Sequence, residues 1–308
     1  MSVFTIDCEY VFPNVAAAYL IIEGNEAAFV ENNTTQAVPI LLNELKKHNI
    51  KKENVKYIII THVHLDHAGG TGALLKECPN AQVIAHPRAA PHLVNPKRLI
   101  ESAKMVYGEE TFFKLYGNIL QVPEEKIYIP SDGESINWGS RYLKFIYTRG
   151  HANHHFVVYD SLTNGVFSGD SFGIGYPITQ TGKYPFLFPS TTPTDFDPIE
   201  AKVSLQKILT TGADKIYLTH FGVWEYVLEG AKQLLDALDY MEEVLFLAQD
   251  PKIKDEDLDE FVKNKVSFFM HREVEKRNLP NSVFELLNLD IEINSMGISF
   301  AARRARKK

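Results

Sequence analysis

The chain has 308 residues, 45% of them hydrophobic, which is enough to bury a sizeable core in one large domain or in one domain with an appendage. A net charge of −7 argues against general nucleic-acid binding. The two cysteines, Cys8 and Cys78, have neither disulfide-framework nor metal spacing, so reduced buried thiols are expected. No apolar run reaches transmembrane length and no signal pattern opens the chain, so no membrane partner and a cytoplasmic location are the expectations.

From the N-terminus, Tyr19 to Asn32 reads as a hairpin, with YLIIE and AAFVE flanking the turn pair Gly24-Asn25. Residues 36–48 carry apolar side chains at helical spacing, among them Ile40, Leu41 and Leu45. Val55 to Thr61, VKYIIIT, is a short apolar strand, and Gln82 to Ala85 is another. This alternation indicates an α/β architecture. Residues 91–121 break it; mostly helical and rich in Tyr, Phe and Met, they read as an insertion or lid. Lys126 to Gly169 is β-rich, with KIYIP, RYLKFIYT, HFVVYD and GVFSG separated by turns at Asp132-Gly133 and Asn164-Gly165. Residues 172–198 form a Pro/Gly/aromatic loop of a length often tied to function. A helix at 199–211 and the strand KIYLT at 215–219 follow.

Beyond His220 the pattern is helical. Trp224, Val227, Leu228, Ala231, Leu235, Leu238, Met241 and Leu245 make one apolar stripe, and helices at 255–279 and 281–289 continue it. The division expected is a domain of residues 1–222 and a helical C-terminal region of 223–308. The stripe suits core packing, a cap over the site or a homodimer interface. Five of the last six residues, Arg303 to Lys308, are basic and read as a solvated tail.

The stretch THVHLDHAGG, Thr61 to Gly70, places His62, His64, Asp66 and His67 directly after an almost wholly apolar strand. Open α/β sheets build their sites at strand ends. Three more strands end the same way: LKFIYTRG at His151, GVFSG at Asp170 and KIYLT at His220. Seven ligand-type side chains exceed the three that a single open zinc site needs, and suit two divalent ions with a shared carboxylate. Five neutral imidazoles and two carboxylates against two dications and a hydroxide leave the centre near +1, suited to an anionic oxygen.

His-x-His-x-Asp-His followed by a separate His, Asp and His resembles the metallo-β-lactamase superfamily. The resemblance implies a four-layer αββα sandwich over roughly residues 1–222. It implies that His62, His64 and His151 hold the first metal, that Asp66, His67 and His220 hold the second, and that Asp170 bridges them. It also implies a metal-bridging hydroxide as nucleophile, with Asp66 able to carry a proton to the leaving group. The expected activity is hydrolysis of an ester, thioester, lactone or phosphodiester of a small molecule. Gly69-Gly70 is expected to give a tight turn into the next helix.

The motif also resembles glyoxalase II, whose last ligand sits in Gly-His-Glu-Tyr where this chain has Thr-His-Phe-Gly. The GHANHH segment and the Thr-His-Phe-Gly ending resemble free-standing oxygen-binding di-iron proteins, so dioxygen binding or sensing at di-iron is the alternative. The all-N/O ligand set suits zinc, iron or manganese. His154 or His155 reads as an outer contact to a ligand or as an ordinary polar contact. His86 reads as structural, and His48, His92 and His271 as surface or packing residues. Phe172, Tyr176, Tyr184, Phe186 and Phe188, with Tyr107, Phe112 and Phe113, either wall a pocket or pack beneath their segments.

Overall fold

The computed structural model of the protein describes residues 2–182 and 184–307; the side chains of Val106 and Tyr107 lie outside the described residues, as does Lys308. In chain order the elements are β1 (Val3–Asp7), β2 (Ala17–Glu23), β3 (Glu26–Val30), α1 (Val38–Lys47), β4 (Val55–Ile59), α2 (Leu65–Ala68), α3 (Thr71–Glu77), β5 (Gln82–Ile84), α4 (Ala90–Val94), α5 (Lys97–Tyr107), α6 (Glu109–Tyr116) and β6 (Ile127–Tyr128). Then come β7 (Ser135–Trp138), β8 (Arg141–Thr148), β9 (His155–Asp160), β10 (Gly165–Gly169), α7 (Pro198–Leu209), β11 (Lys215–Leu218), β12 (Gly222–Trp224), α8 (Val227–Leu247), α9 (Leu258–Lys276) and α10 (Phe284–Arg306).

The strands form two six-stranded sheets, ordered β1-β2-β3-β4-β5-β6 and β12-β11-β10-β9-β8-β7. The period of two decides where each side chain goes. Tyr19, Ile21, Ala28, Val30 and Ile59 from the first sheet meet Trp138, Leu143, Phe145, Phe156, Phe167 and Tyr217 from the second in one buried cluster. Their alternates Leu20, Ala27, Phe29 and Ile58 face Leu41 and Leu45 of α1 and Leu74 and Leu75 of α3. Each fully buried Leu, Ile or Phe contributes about 1.5–3 kcal/mol. Tyr19 lies within this core because its hydroxyl donates to the carbonyls of Leu218 (2.5 Å) and Gly222 (3.1 Å).

The chain separates into two compact units. The first runs to Tyr147 and adds His154–Gly169 and Gly212–Glu225; it holds both sheets. The second comprises Thr148–Asn153, Asp170–Thr211 and the chain from Tyr226 on. In the second, α7 starts where Asp197 caps it, its side chain accepting from Ile199 N (3.0 Å) and Glu200 N (3.1 Å), with Pro198 at the first helical position. The aromatic segment is packed rather than open: Phe172, Tyr176, Phe186 and Phe188 are buried, and Tyr184 is exposed. No helix among the described residues is long and apolar enough to cross a membrane.

Three expectations at the C-terminal end are corrected. Trp224 belongs to β12, paired with Ile216 of β11, and the helix begins at Val227. The last helix runs from Phe284 to Arg306 rather than ending at Leu289. Its continuation is hard to read from apolar spacing because its buried face mixes Leu287, Ile291 and Ile298 with Asp290, Asn294, Ser295 and Ser299. Asp290 meets the Tyr176 hydroxyl at 3.2 Å, and Asn294 accepts from Thr191 N (2.7 Å) and donates to Pro189 O (3.1 Å). The basic end is part of that helix and is tied down, with Arg303 paired to Asp259 and Arg306 to Asp255.

Candidate metal centre

Five of the seven expected ligands lie in the first unit. Strand β4 ends at Ile59, the buried Thr61 and His62 follow it, and the chain then turns into the short α2, which carries Asp66 and His67. Gly69 and Gly70 serve close approach rather than a tight turn: their φ values are −62° and −84°, ordinary for any residue. A Cβ on Gly69 would stand 2.5 Å from the Leu65 carbonyl oxygen, and one on Gly70 would stand 2.7 Å from that of Thr34. In the other sheet β10 ends at Gly169, whose φ of +48° and missing Cβ admit Thr61 Oγ1 and His155 Nε2.

Asp66, His67 and His220 form a cluster whose ligand atoms all lie within 4.8 Å of one another. His220 Nε2 is 3.4 Å and His67 Nε2 is 3.7 Å from Asp66 Oδ2. Donors sharing one tetrahedral ion at about 2.0–2.2 Å stand about 3.3–3.6 Å apart, so this spacing fits. His220 Nδ1 donates to the Val15 carbonyl oxygen at 2.8 Å, which leaves Nε2 of the neutral ring as the lone-pair donor.

A similar device sets His62. Thr61 Oγ1 donates to the buried Glu31 carboxylate and stands 3.1 Å from His62 Nδ1. With its proton committed to Glu31, the hydroxyl accepts from His62 Nδ1–H, so Nε2 carries the lone pair. Nε2 is 2.9 Å from His64 Nδ1, a separation that suits a proton and that an ion would widen by about half an ångström. Glu31 also forms a ligand-type group with His62 and His67, its Oε1 lying 3.4 Å from His67 Nδ1. Sequence reading missed Glu31, although the signal was present: AAFVE is one more apolar strand that ends in an acid.

The other two expected ligands, His151 and Asp170, belong to the second unit and face each other there, His151 Nε2 lying 3.4 Å from Asp170 Oδ2. His151 Nδ1 donates to the Ser190 carbonyl oxygen at 3.2 Å, again leaving Nε2 as lone-pair donor. Both line a small cavity of about 20 Å³, room for one water-sized group. The donor set, its spacing and its outer hydrogen bonds therefore fit divalent ions.

Among the remaining histidines, the His154 ring lies parallel to that of His62 at 6.0 Å, and Val63 N meets His154 Nδ1 at 3.4 Å. His155 is fully buried 4.8 Å from the His62 ring. His92 stands 6.4 Å from the ring of His154. His86 packs on Tyr147 at 4.3 Å, and burial first, then the charge of Arg88, lowers its pKa to about 4.

Comparison with known proteins gives a match to the Metallo-beta-lactamase superfamily model over residues 16–220, two thirds of the chain. The chain belongs to the metallo-β-lactamase superfamily. Within it, the metallo-β-lactamase fold-containing protein ST1585 of Sulfurisphaera tokodaii is 31% identical over 125 residues, 39% of this chain and 46% of that protein. The match thus spans about half the relative's length. The crystal structure of the same archaeal protein covers 75% of this chain and 85% of its own, at 23% identity and a TM-score of 0.61. A metallo-β-lactamase family protein from Thermus thermophilus, TTHA1429, superposes over 99% of this chain and 94% of its own with a TM-score of 0.65 at 18% identity. A chemotaxis sensor, ODP, solved as a peroxy diiron species, has the same fold at 15% identity, with a TM-score of 0.53 over 74% of this chain and 91% of its own. The α/β class and the C-terminal helices read from the sequence pattern, and the two sheets implied by the resemblance, are those of the protein.

Proposed function

We propose that the protein is a hydrolase working with two divalent ions on an ester, thioester, lactone or phosphodiester of a small molecule. In this reading His62, His64 and His151 hold one ion, Asp66, His67 and His220 hold the other, and Asp170 serves both. The observation that carries the reading is the Asp66–His67–His220 cluster, spaced for a shared ion, on a chain of this superfamily. Bound divalent ions supply Lewis acidity toward a carbonyl or phosphoryl oxygen and acidify a water to a nucleophile near neutral pH.

The chain's own residues do the positioning. The Val15 and Ser190 carbonyls and the Glu31–Thr61 pair orient His220, His151 and His62 with Nε2 as the lone-pair donor. Asp66, 27% exposed at its side chain, is the most accessible of the ionisable groups in its cluster. That exposure supports a role for Asp66 in passing a proton to a leaving group, while His62 and His67 are buried.

The second reading is dioxygen binding at a di-iron pair. It draws on His154 and His155, which follow His151 in GHANHH and crowd the His62 ring, and on the fold shared with a sensor solved as a peroxy diiron species. One preparation separates the two. Protein purified without air is scanned optically, aerated, scanned again, and assayed on a panel of lactones, thioesters, esters and phosphodiesters. Turnover without an oxygen-dependent visible band supports hydrolysis. An oxygen-dependent band with no turnover on any member of the panel overturns it.

A further inference from the structure

Helix α10 has two faces. Leu287, Ile291 and Ile298 lie buried on one, with Asp290 and Asn294 among them. On the other, Leu289 is 52%, Met296 49% and Phe300 43% exposed, and Ile293 is half-buried. Successive steps of four, three and four residues separate these four side chains, which is the spacing of the inward positions of a coiled coil. At 3.6 residues per turn they fall within about 60° of arc. An exposed apolar seam of this kind marks an interaction surface. The stripe of α8, by contrast, is spent inside the unit, with Val227, Ala231, Leu238 and Met241 buried.

Charge says what covers the seam. Glu285, Glu292 and Arg303 run along one edge of it, within about 20° of one another, the two acids near the start of the helix and the base near its end. Lys263 and Asp259, both of α9, brace Glu292 and Arg303 along that edge and leave them 51% and 37% exposed. We propose that this face pairs two copies of the chain through α10, packed antiparallel. A two-fold axis then sets the same edge of each copy side by side, end for end. Leu289 faces Phe300 of the second copy, Ile293 faces Met296, and Glu285 comes level with Arg303, each contact being made twice. A parallel pair would set the basic end of one copy, Arg303, Arg304 and Lys307, on the basic end of the other. One helix pair covers less than the about 800 Å² per partner of a standard interface, so the dimer is a micromolar one.

Analytical ultracentrifugation of the full chain up to about 300 μM tests this, with a dissociation constant inside that range expected. Met296→Glu puts a charge into the seam and should weaken the dimer at least about tenfold. Glu285→Arg and Arg303→Glu each bring like charges together twice and should each weaken it about tenfold. An equimolar mixture of these two variants should regain the parent's affinity, since their altered charges then meet as opposites. On mild oxidation Leu289→Cys should crosslink to Phe300→Cys but not to itself, the two copies of position 289 lying about 16 Å apart along the seam. Thermal melts check that each variant is folded, and the mixing result stands even if Met296→Glu is not. A parent that stays monomeric throughout the range, the parent's affinity in a folded Met296→Glu, a mixture no stronger than its two components, or Leu289→Cys crosslinking to itself as readily as to Phe300→Cys would overturn the proposal.

Discussion

Glu31→Gln isolates what a buried carboxylate contributes to the metal centre. The substitution keeps the shape and an oxygen that can accept from Thr61, and removes only the charge. Ligand atoms of Glu31, His62 and His67 lie within 4.8 Å of one another. An ion bound to either imidazole at about 2 Å is therefore within about 7 Å of that carboxylate. Coulomb attraction between −1 and +2 at that distance amounts to about 1 kcal/mol at a dielectric of 80 and about 5 kcal/mol at 20. Loss of an outer hydrogen-bonding partner typically weakens metal binding ten- to a hundredfold, about 1.4–2.7 kcal/mol, which falls inside that range. The apo protein should respond in the opposite sense. Glu31 is 1% exposed and its Oε2 has no hydrogen-bond partner among the described residues, so without an ion the charge is a cost. The assay is competition for zinc against a chromophoric chelator, run beside thermal melts of apo protein. The expected result is ten- to a hundredfold weaker zinc binding with an apo melting temperature equal to or above the parent's. Unchanged zinc affinity, or an apo protein destabilised by the substitution, would refute the reasoning.

Other consequences follow from buried groups elsewhere. Asn294→Leu leaves Thr191 N without its acceptor and Pro189 O without its donor, so urea melts should show a loss of about 2–4 kcal/mol. His86 has a folded pKa of about 4, below the ordinary value near 6.5. Its neutral ring therefore contributes stability above about pH 6.5 that is lost as pH falls toward 4, at most about 3 kcal/mol. Urea melts at pH 7 and 4.5 should show a smaller difference in His86→Gln than in the parent, and equal differences would contradict the assignment. Burial pushes the Cys78 thiol up to about 12 and that of Cys8 higher still. Both should resist a thiol reagent at pH 8 in the folded protein and react fully in denaturant; labelling of the folded chain would show the burial wrong.

The strands near the site were readable because their physics is local. VKYIIIT and GVFSG are apolar on both faces, and each stops at a polar ligand-type residue. The strands β1 (VFTID) and β7 (SINW) carry a weaker signal, since each is short, mixes polar with apolar residues and is only partly buried. Glu31 is less legible because a lone acid one residue past β3 carries no spacing signal of its own and joins His62 and His67 only through the fold. The last helix is longer than its apolar spacing indicates for a different reason: Asp290 and Asn294 face inward among its buried residues and find partners in a distant chain segment, a tertiary fact that no periodicity of apolar residues encodes. The same holds for the basic end, whose arginines are held by Asp255 and Asp259 of the segment leading into and starting α9.

The claim on which the functional reading rests is that two divalent ions share seven named side chains, and metal counting on purified protein tests it most directly. The protein, loaded with zinc or iron and freed of excess, should hold two ions per chain by mass spectrometry; His220→Ala should hold close to one and Asp170→Ala fewer than the parent at both positions. A parent chain holding no ion, or two ions retained at full strength in both variants, would contradict it.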